Sequence, residues 1–170
     1  MALSLAACAA SPVPDPIREA APNQVTVAEA QAQPEQFKGA VVRWGGTILS
    51  TENRKDETWI TVLARPLGNN GRPNEEAAPW GRFIAVLSGF HEPAVYKEDR
   101  ELTVRGTLTD SVTRAVGEFP YRYPVLRAST HYLWPPRQPA RAPYYYDPFW
   151  YDPWYGPYPF YPRYYGHPYW

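Results

Sequence analysis

The chain carries a single cysteine, Cys8, in 170 residues. An internal disulfide is therefore excluded, and any fold has to stand on its core alone. Net charge is also missing, because 17 Lys and Arg balance 17 Asp and Glu. That balance argues against a nucleic-acid partner, whose affinity comes mainly from neutralising phosphates. It argues equally against a polybasic membrane-surface binder. No stretch approaches the roughly 20 apolar residues needed to cross a bilayer as a helix.

Assembled chemistry is scarce as well. The histidines His91, His131 and His167 lie far apart, and none has a Cys or His at metal-ligand spacing, so no metal site is expected. His131 reads as a partly exposed position on a strand. Ser88-Gly89 lacks the Gly-x-Ser-x-Gly frame of a nucleophile elbow. The pairs Glu75-Glu76 and Glu98-Asp99 fall in polar loops, where neighbouring acids are solvated rather than tuned against each other. Asn69-Asn70-Gly71 is turn chemistry, not a phosphate loop. The sequence thus assigns no catalytic residue and no cofactor, and the chain is read as a non-enzyme.

What is present comes in distinct materials. Residues 1–8 are small and apolar up to Leu5-Ala6-Ala7-Cys8, which resembles a bacterial lipobox. There the leader is cut before the cysteine and that cysteine is lipidated. Acyl chains can replace a spanning helix, since each buried methylene contributes about 0.8 kcal/mol and more than one chain gives stable anchoring. A leader ordinarily opens with basic residues before its apolar run. No Lys or Arg precedes Cys8, so the expected coding start lies upstream of Met1. Residues 9–24, with Pro12, Pro14 and Pro16, read as a proline-stiffened tether.

Thr26-Val27-Ala28-Glu29 has capping-box spacing, and Pro34 stops the helix it opens. Val27, Ala30 and Phe37 are expected to turn inward. Strand patterning follows over 40–50, 58–64, 82–87, 102–109 and 121–134, the last bent near Pro124. Gly45-Gly46 inside the first strand suggests a bulge or sharp coiling. Residues 66–79 form a long loop, 94–98 one helical turn, and 111–118 a turn. The expected fold is mainly β: a small five-stranded, OB-like, partly closed barrel with a short N-terminal helix, flanked by disordered tails. An open antiparallel sheet or a sandwich is the alternative. If Arg43, Arg82 and Arg105 share a barrel face with Trp44 and Tyr123, they make a groove for an anionic glycan or peptide. The competing reading is solvated strand arginines paired with loop acids.

A family resemblance rests on several runs in one order. They are Val41-Val42-Arg43-Trp44-Gly45-Gly46, Leu63-Ala64-Arg65-Pro66-Leu67, Gly81-Arg82-Phe83, Gly89-Phe90, Glu92-Pro93-Ala94-Val95-Tyr96, Arg105-Gly106, and Glu118-Phe119-Pro120-Tyr121-Arg122-Tyr123-Pro124-Val125. From Val25 to Trp134 the chain resembles the Slp family of outer-membrane lipoproteins. The resemblance implies a Gram-negative outer-membrane lipoprotein associated with starvation or stationary phase, with no known catalytic activity. It makes residues 25–137 the Slp-like β-barrel domain and leaves 138–170 outside the matched region. Lipid anchoring through a palmitate-bearing Cys8, with the domain facing the periplasm, is the expected arrangement.

Residues 138–170 are a Tyr/Pro-rich low-complexity tail, with blocks such as Tyr146-Asp147-Pro148-Phe149-Trp150 and Tyr151-Asp152-Pro153-Trp154-Tyr155. Five-residue spacing fits neither helix nor strand, so polyproline-II or disordered chain is expected. Its rings suit weak, multivalent contact with an envelope protein or glycan; a solvated tail without a dedicated partner is the plain alternative. Two functions stand: a non-catalytic envelope role for a membrane-anchored lipoprotein, or an OB-like module binding an oligosaccharide, a cell-wall fragment or lipid.

Overall fold

The computed structural model describes residues 12–138. Their elements are α1 (Asp15–Arg18), α2 (Val27–Ala32), α3 (Pro34–Phe37), β1 (Val41–Asn53), β2 (Glu57–Arg65), β3 (Arg82–Ser88), β4 (Glu101–Val116) and β5 (Phe119–Leu133). The strands close into a barrel in the order β1-β2-β3-β5-β4, sealed by an antiparallel β1–β4 pair. The one parallel pair joins β3 to β5, with Ile84, Ala85 and Val86 opposite Val125, Leu126 and Arg127. This is the five-stranded OB-like order expected from the sequence, with the barrel fully closed. Closure removes the edges at which strands of other chains could add.

Alternation fills the interior. Val42, Trp44 and Ile48 of β1 meet Ile60, Val62 and Ala64 of β2, with Phe83, Ala85 and Leu87 of β3. Leu102, Val104 and Leu108 of β4 and Leu126 of β5 complete the core. Burying each such aliphatic side chain contributes about 1.5–3 kcal/mol. Register shifts between Ile48 and Ser50, between Arg105 and Gly106, and between Leu108 and Ser111 coil the sheet so that it can close. Gly45-Gly46 is therefore not the bulge. Gly46 is needed for close approach instead, since a Cβ there would stand 1.8 Å from the Leu63 carbonyl oxygen.

The N-terminal helix behaves as its sequence dictates. Thr26 Oγ1 accepts from the Glu29 backbone N–H at 3.2 Å, and Glu29 Oε2 accepts from the Thr26 N–H at 2.8 Å. The Thr26 backbone N–H, more than its hydroxyl, holds the Glu29 carboxyl below its ordinary value. Val27 and Ala30 are buried and Phe37 packs beside them, so α2 and α3 plug one mouth of the barrel.

Three local expectations are corrected. Residues 111–118 are not a turn: β4 continues to Val116 and β5 starts at Phe119, with Gly117 at φ 60° in the tight connection. The arm reads as polar because its buried face carries only Val112 and Val116, which pack outside the barrel against Ile84, Val86 and Trp59. The expected helical turn lies two residues early: the Val95 and Tyr96 N–H groups both bond the Glu92 carbonyl, so a single turn spans 92–96 rather than 94–98. The tether is partly folded: α1 lies within it, and Val13 and Ile17 pack on Trp134 and Tyr132.

Candidate functional site

OB-type barrels commonly bind ligands on the outer face of strands 2 and 3. Here that face is covered by the chain itself. The β4–β5 arm lays Val112, Val116, Tyr121 and Tyr123 over Ile84, Val86 and Trp59. Charge closes the patch: the Arg54 guanidinium lies 3.5 Å from the centre of the Trp59 ring, Arg114 lies 5.2 Å away, and both bind Glu52. An open concavity lies elsewhere.

It lies where residues 20–26 cross from α1 to α2. A cleft of about 300 Å³ is lined by Asn23, Gln24, Arg43, Trp44, Leu67 and Trp80, with Ala20, Ala21, Val25 and Thr26 on the crossing segment. Each wall is fixed from below. Asn23 donates from Nδ2 to the Val41 carbonyl at 3.2 Å, and Trp44 donates from Nε1 to the Val25 carbonyl at 2.8 Å. These bonds pin the segment to β1. Trp80 is placed by its backbone, whose N–H bonds the Ala64 carbonyl at 2.8 Å. Arg65 ties down the preceding loop through the Glu75 and Ala77 carbonyls, at 2.9 and 2.6 Å. The Trp80 side chain remains 47% exposed, which leaves a ring face for a ligand.

Arg43 supplies the charge. Its Nη1 donates to the Ile17 and Arg18 carbonyls at 2.9 and 2.6 Å. Arg105 sits opposite it across the β1–β4 pair and reaches the Pro16 carbonyl at 3.4 Å. Among the described residues, both guanidinium groups are met by carbonyls and neither by a carboxylate. Burial, and then the neighbouring Arg105 charge, pull the Arg43 pKa below its ordinary value. Arg43 is thus held at the cleft by the last two carbonyls of α1, with Arg105 beside it.

The residues picked out from sequence divide. Arg43 and Arg105 are brought together on the outer wall. Trp44 turns the opposite way, 5% exposed, with its ring 5.3 Å from Phe83 in the core, and only its edge borders the cleft. Arg82 and Tyr123 sit with the β4–β5 arm: the Arg82 N–H donates to the Tyr121 hydroxyl at 2.9 Å, and Tyr123 is 4% exposed. The five do not make one face. Trp80, Leu67, Asn23 and Gln24 were missed, although a tryptophan held between Pro79 and Gly81 in a polar loop is a readable signal. Cys8 and the aromatic tail from Tyr144 lie outside the described residues.

A second cluster closes the other mouth of the barrel. The His91 ring stands 5.2 Å from His131 and 5.0 Å from Tyr96, and the Tyr96 hydroxyl and His131 Nε2 share a 3.0 Å hydrogen bond. Two histidines remote in sequence thus meet in space. Burial, and then His91, push the His131 pKa below its ordinary value. Among the described residues no group of three or more His, Cys, Asp or Glu is arranged to hold a metal ion. None of their helices is long and apolar enough to cross a membrane.

Known proteins resemble this chain along most of its length. An Escherichia coli K12 protein, "Uncharacterized lipoprotein YeaY", is 28% identical over 134 residues, covering 78% of this chain and 68% of that protein. The E. coli K12 "Outer membrane protein Slp" is 28% identical over 132 residues, covering 74% and 70%. A Haemophilus influenzae protein is 36% identical over 94 residues, covering 55% and 51%. The family model described as "Outer membrane lipoprotein Slp family" matches residues 5–170. That range takes in Cys8 and runs through the Tyr/Pro-rich tail, beyond the Val25–Trp134 stretch that carries the resemblance by motif. The chain belongs to the outer membrane lipoprotein Slp family.

Proposed function

We propose that this outer-membrane lipoprotein is held to its membrane by a lipidated Cys8 and presents its barrel to the periplasm in a non-catalytic structural or interaction role. One observation carries the reading: Leu5-Ala6-Ala7-Cys8 falls inside the range matched by a lipoprotein family and is followed by Pro12, Pro14 and Pro16. Acyl chains on that cysteine would supply the anchor that the described helices cannot. Increased synthesis in starvation or stationary phase, and contact of the aromatic tail with an envelope protein or glycan, belong to the same proposal. The test is Cys8→Ser followed by fractionation of the envelope. Release into the soluble fraction is expected, and an unchanged membrane distribution would contradict the anchor.

A second reading, that the barrel is a ligand-binding module, is favoured by the cleft beside Trp80. The barrel interior is filled by its own side chains, so a ligand would meet the outside. The cleft joins an exposed aromatic ring, side-chain amides and an arginine, the mixture of apolar wall and few polar groups typical of small-molecule sites. Saturable chemical-shift changes confined to residues 20–26 and Trp80 on adding saccharides or lipid would support it. Changes spread over the surface would count against it.

A further inference from the structure

If the barrel is a ligand-binding module, the reading on which this inference rests, the lining of the cleft narrows the class of ligand. Trp80 offers a half-exposed ring beside Leu67, the kind of flat apolar platform on which the C–H face of a sugar ring stacks. Asn23 and Gln24 add amide groups that can pair with hydroxyls or an acetamido group. Arg43 is the charged group of the lining, and its Nη1 is already committed to two carbonyls. The rest of its guanidinium is a planar edge suited to a carboxylate. Arg105, opposite Arg43 on β4, adds positive field, and neither arginine meets a carboxylate among the described residues. Arg43 is the cation that lines the cleft, so a single carboxylate has a direct partner there, whereas a phosphate's second charge would meet only the field of Arg105. From this juxtaposition of Trp80, Asn23, Gln24 and Arg43 we infer that the cleft binds a saccharide carrying a single carboxylate.

The size agrees. A cleft of about 300 Å³ is at the lower end of small-molecule sites, suited to a monosaccharide with its substituents rather than a polymer laid along the barrel. The positioning is built in: Asn23 bonds β1, Trp80 bonds the end of β2, and Arg43 is held by α1. Association should therefore need little rearrangement.

The purified full-length lipoprotein in detergent can be titrated with three probes: N-acetylmuramic acid, neutral N-acetylglucosamine and glucosamine phosphate. The expected result is saturable binding of the carboxylate sugar, roughly tenfold weaker binding of the neutral one, and loss of the difference at high salt. Trp80→Ala should weaken binding of the carboxylate sugar by roughly tenfold with an unchanged urea midpoint, because the ring is half exposed, and Trp80→Phe should restore most of it. Arg43→Lys should keep the fold but lose most of the preference for the carboxylate. Equal affinity for the neutral sugar would overturn the inference while leaving a saccharide site in place, and tightest binding of the phosphate sugar would overturn its charge argument. No saturable binding of any probe would remove both the inference and the saccharide site. None of these outcomes bears on anchoring, which the Cys8→Ser fractionation reads separately.

Discussion

The two mouths of the barrel are closed by different chemistry. At one, α2 inserts Val27 and Ala30 into the core while Phe37 of α3 packs, partly buried, against it, and the Gly39 N–H bonds the Leu108 carbonyl at 2.8 Å. At the other, the connection between β3 and β4 folds inward on polar and aromatic contacts. There the Thr51 hydroxyl donates to the Tyr96 carbonyl at 2.6 Å, the His91 N–H donates to Thr58 Oγ1 at 3.0 Å, and the His91 ring meets Tyr96 and His131 edge to face. The helical mouth is an extension of the apolar core and should be indifferent to pH near neutrality. The loop mouth contains His131, whose pKa burial holds below its ordinary value. One barrel thus has a stable end and a conditional end, and the candidate cleft borders the stable one, where Trp44 bonds Val25.

The contrast between the mouths is most exposed to disproof at Trp44. Trp44→Ala removes a core ring, its edge contact with Phe83 and the bond that holds the crossing segment. A loss of about 3–5 kcal/mol is expected in urea unfolding; a loss well under that would mean the helical mouth is not part of the core. Thr26→Ala removes the cap of α2 and should lower stability by about 1 kcal/mol, seen as a reduced urea midpoint with an unchanged slope. Tyr96→Phe breaks the bond to His131 while keeping the ring, and about 0.5–1 kcal/mol is expected.

The smallest effect separates the mouths by pH. The His131 pKa is depressed in the folded protein, so below about pH 6.5 the unfolded chain takes up the proton more readily. Its stabilising contribution is present above that pH and is lost as pH falls toward the lower folded value. His91 and Tyr96 contact it, and neither is a carboxylate that would reverse the sign. The urea midpoint should fall between about pH 7.5 and about pH 5, with hydrogen exchange accelerating at residues 89–100 before residues 27–37. His131→Gln should flatten that dependence, whereas an equal slope in the variant would assign it elsewhere.

The sequence was most legible where burial is one-sided and local. Alternation in Leu102, Val104 and Leu108 names the inner face of β4, and Thr26 with Glu29 names the start of α2, because both signals lie within a few residues. The β4–β5 arm was illegible since its outer-face packing is sparse and depends on Ile84, Val86 and Trp59 from other strands. The site was half legible. Arg43 and Arg105 were found as strand arginines, but their neighbourhood is set by the β1–β4 register that closes the barrel. Trp80 and the His91–His131 pair join residues brought together only by long connections, a placement no periodicity encodes.

The claim beneath the functional account is covalent modification at Cys8, and mass spectrometry of the N-terminal peptide from membrane-purified protein reads it directly. A peptide beginning at Cys8 and carrying fatty acyl mass on the thiol and amine is expected. An unmodified thiol with residues 1–7 still attached would contradict it.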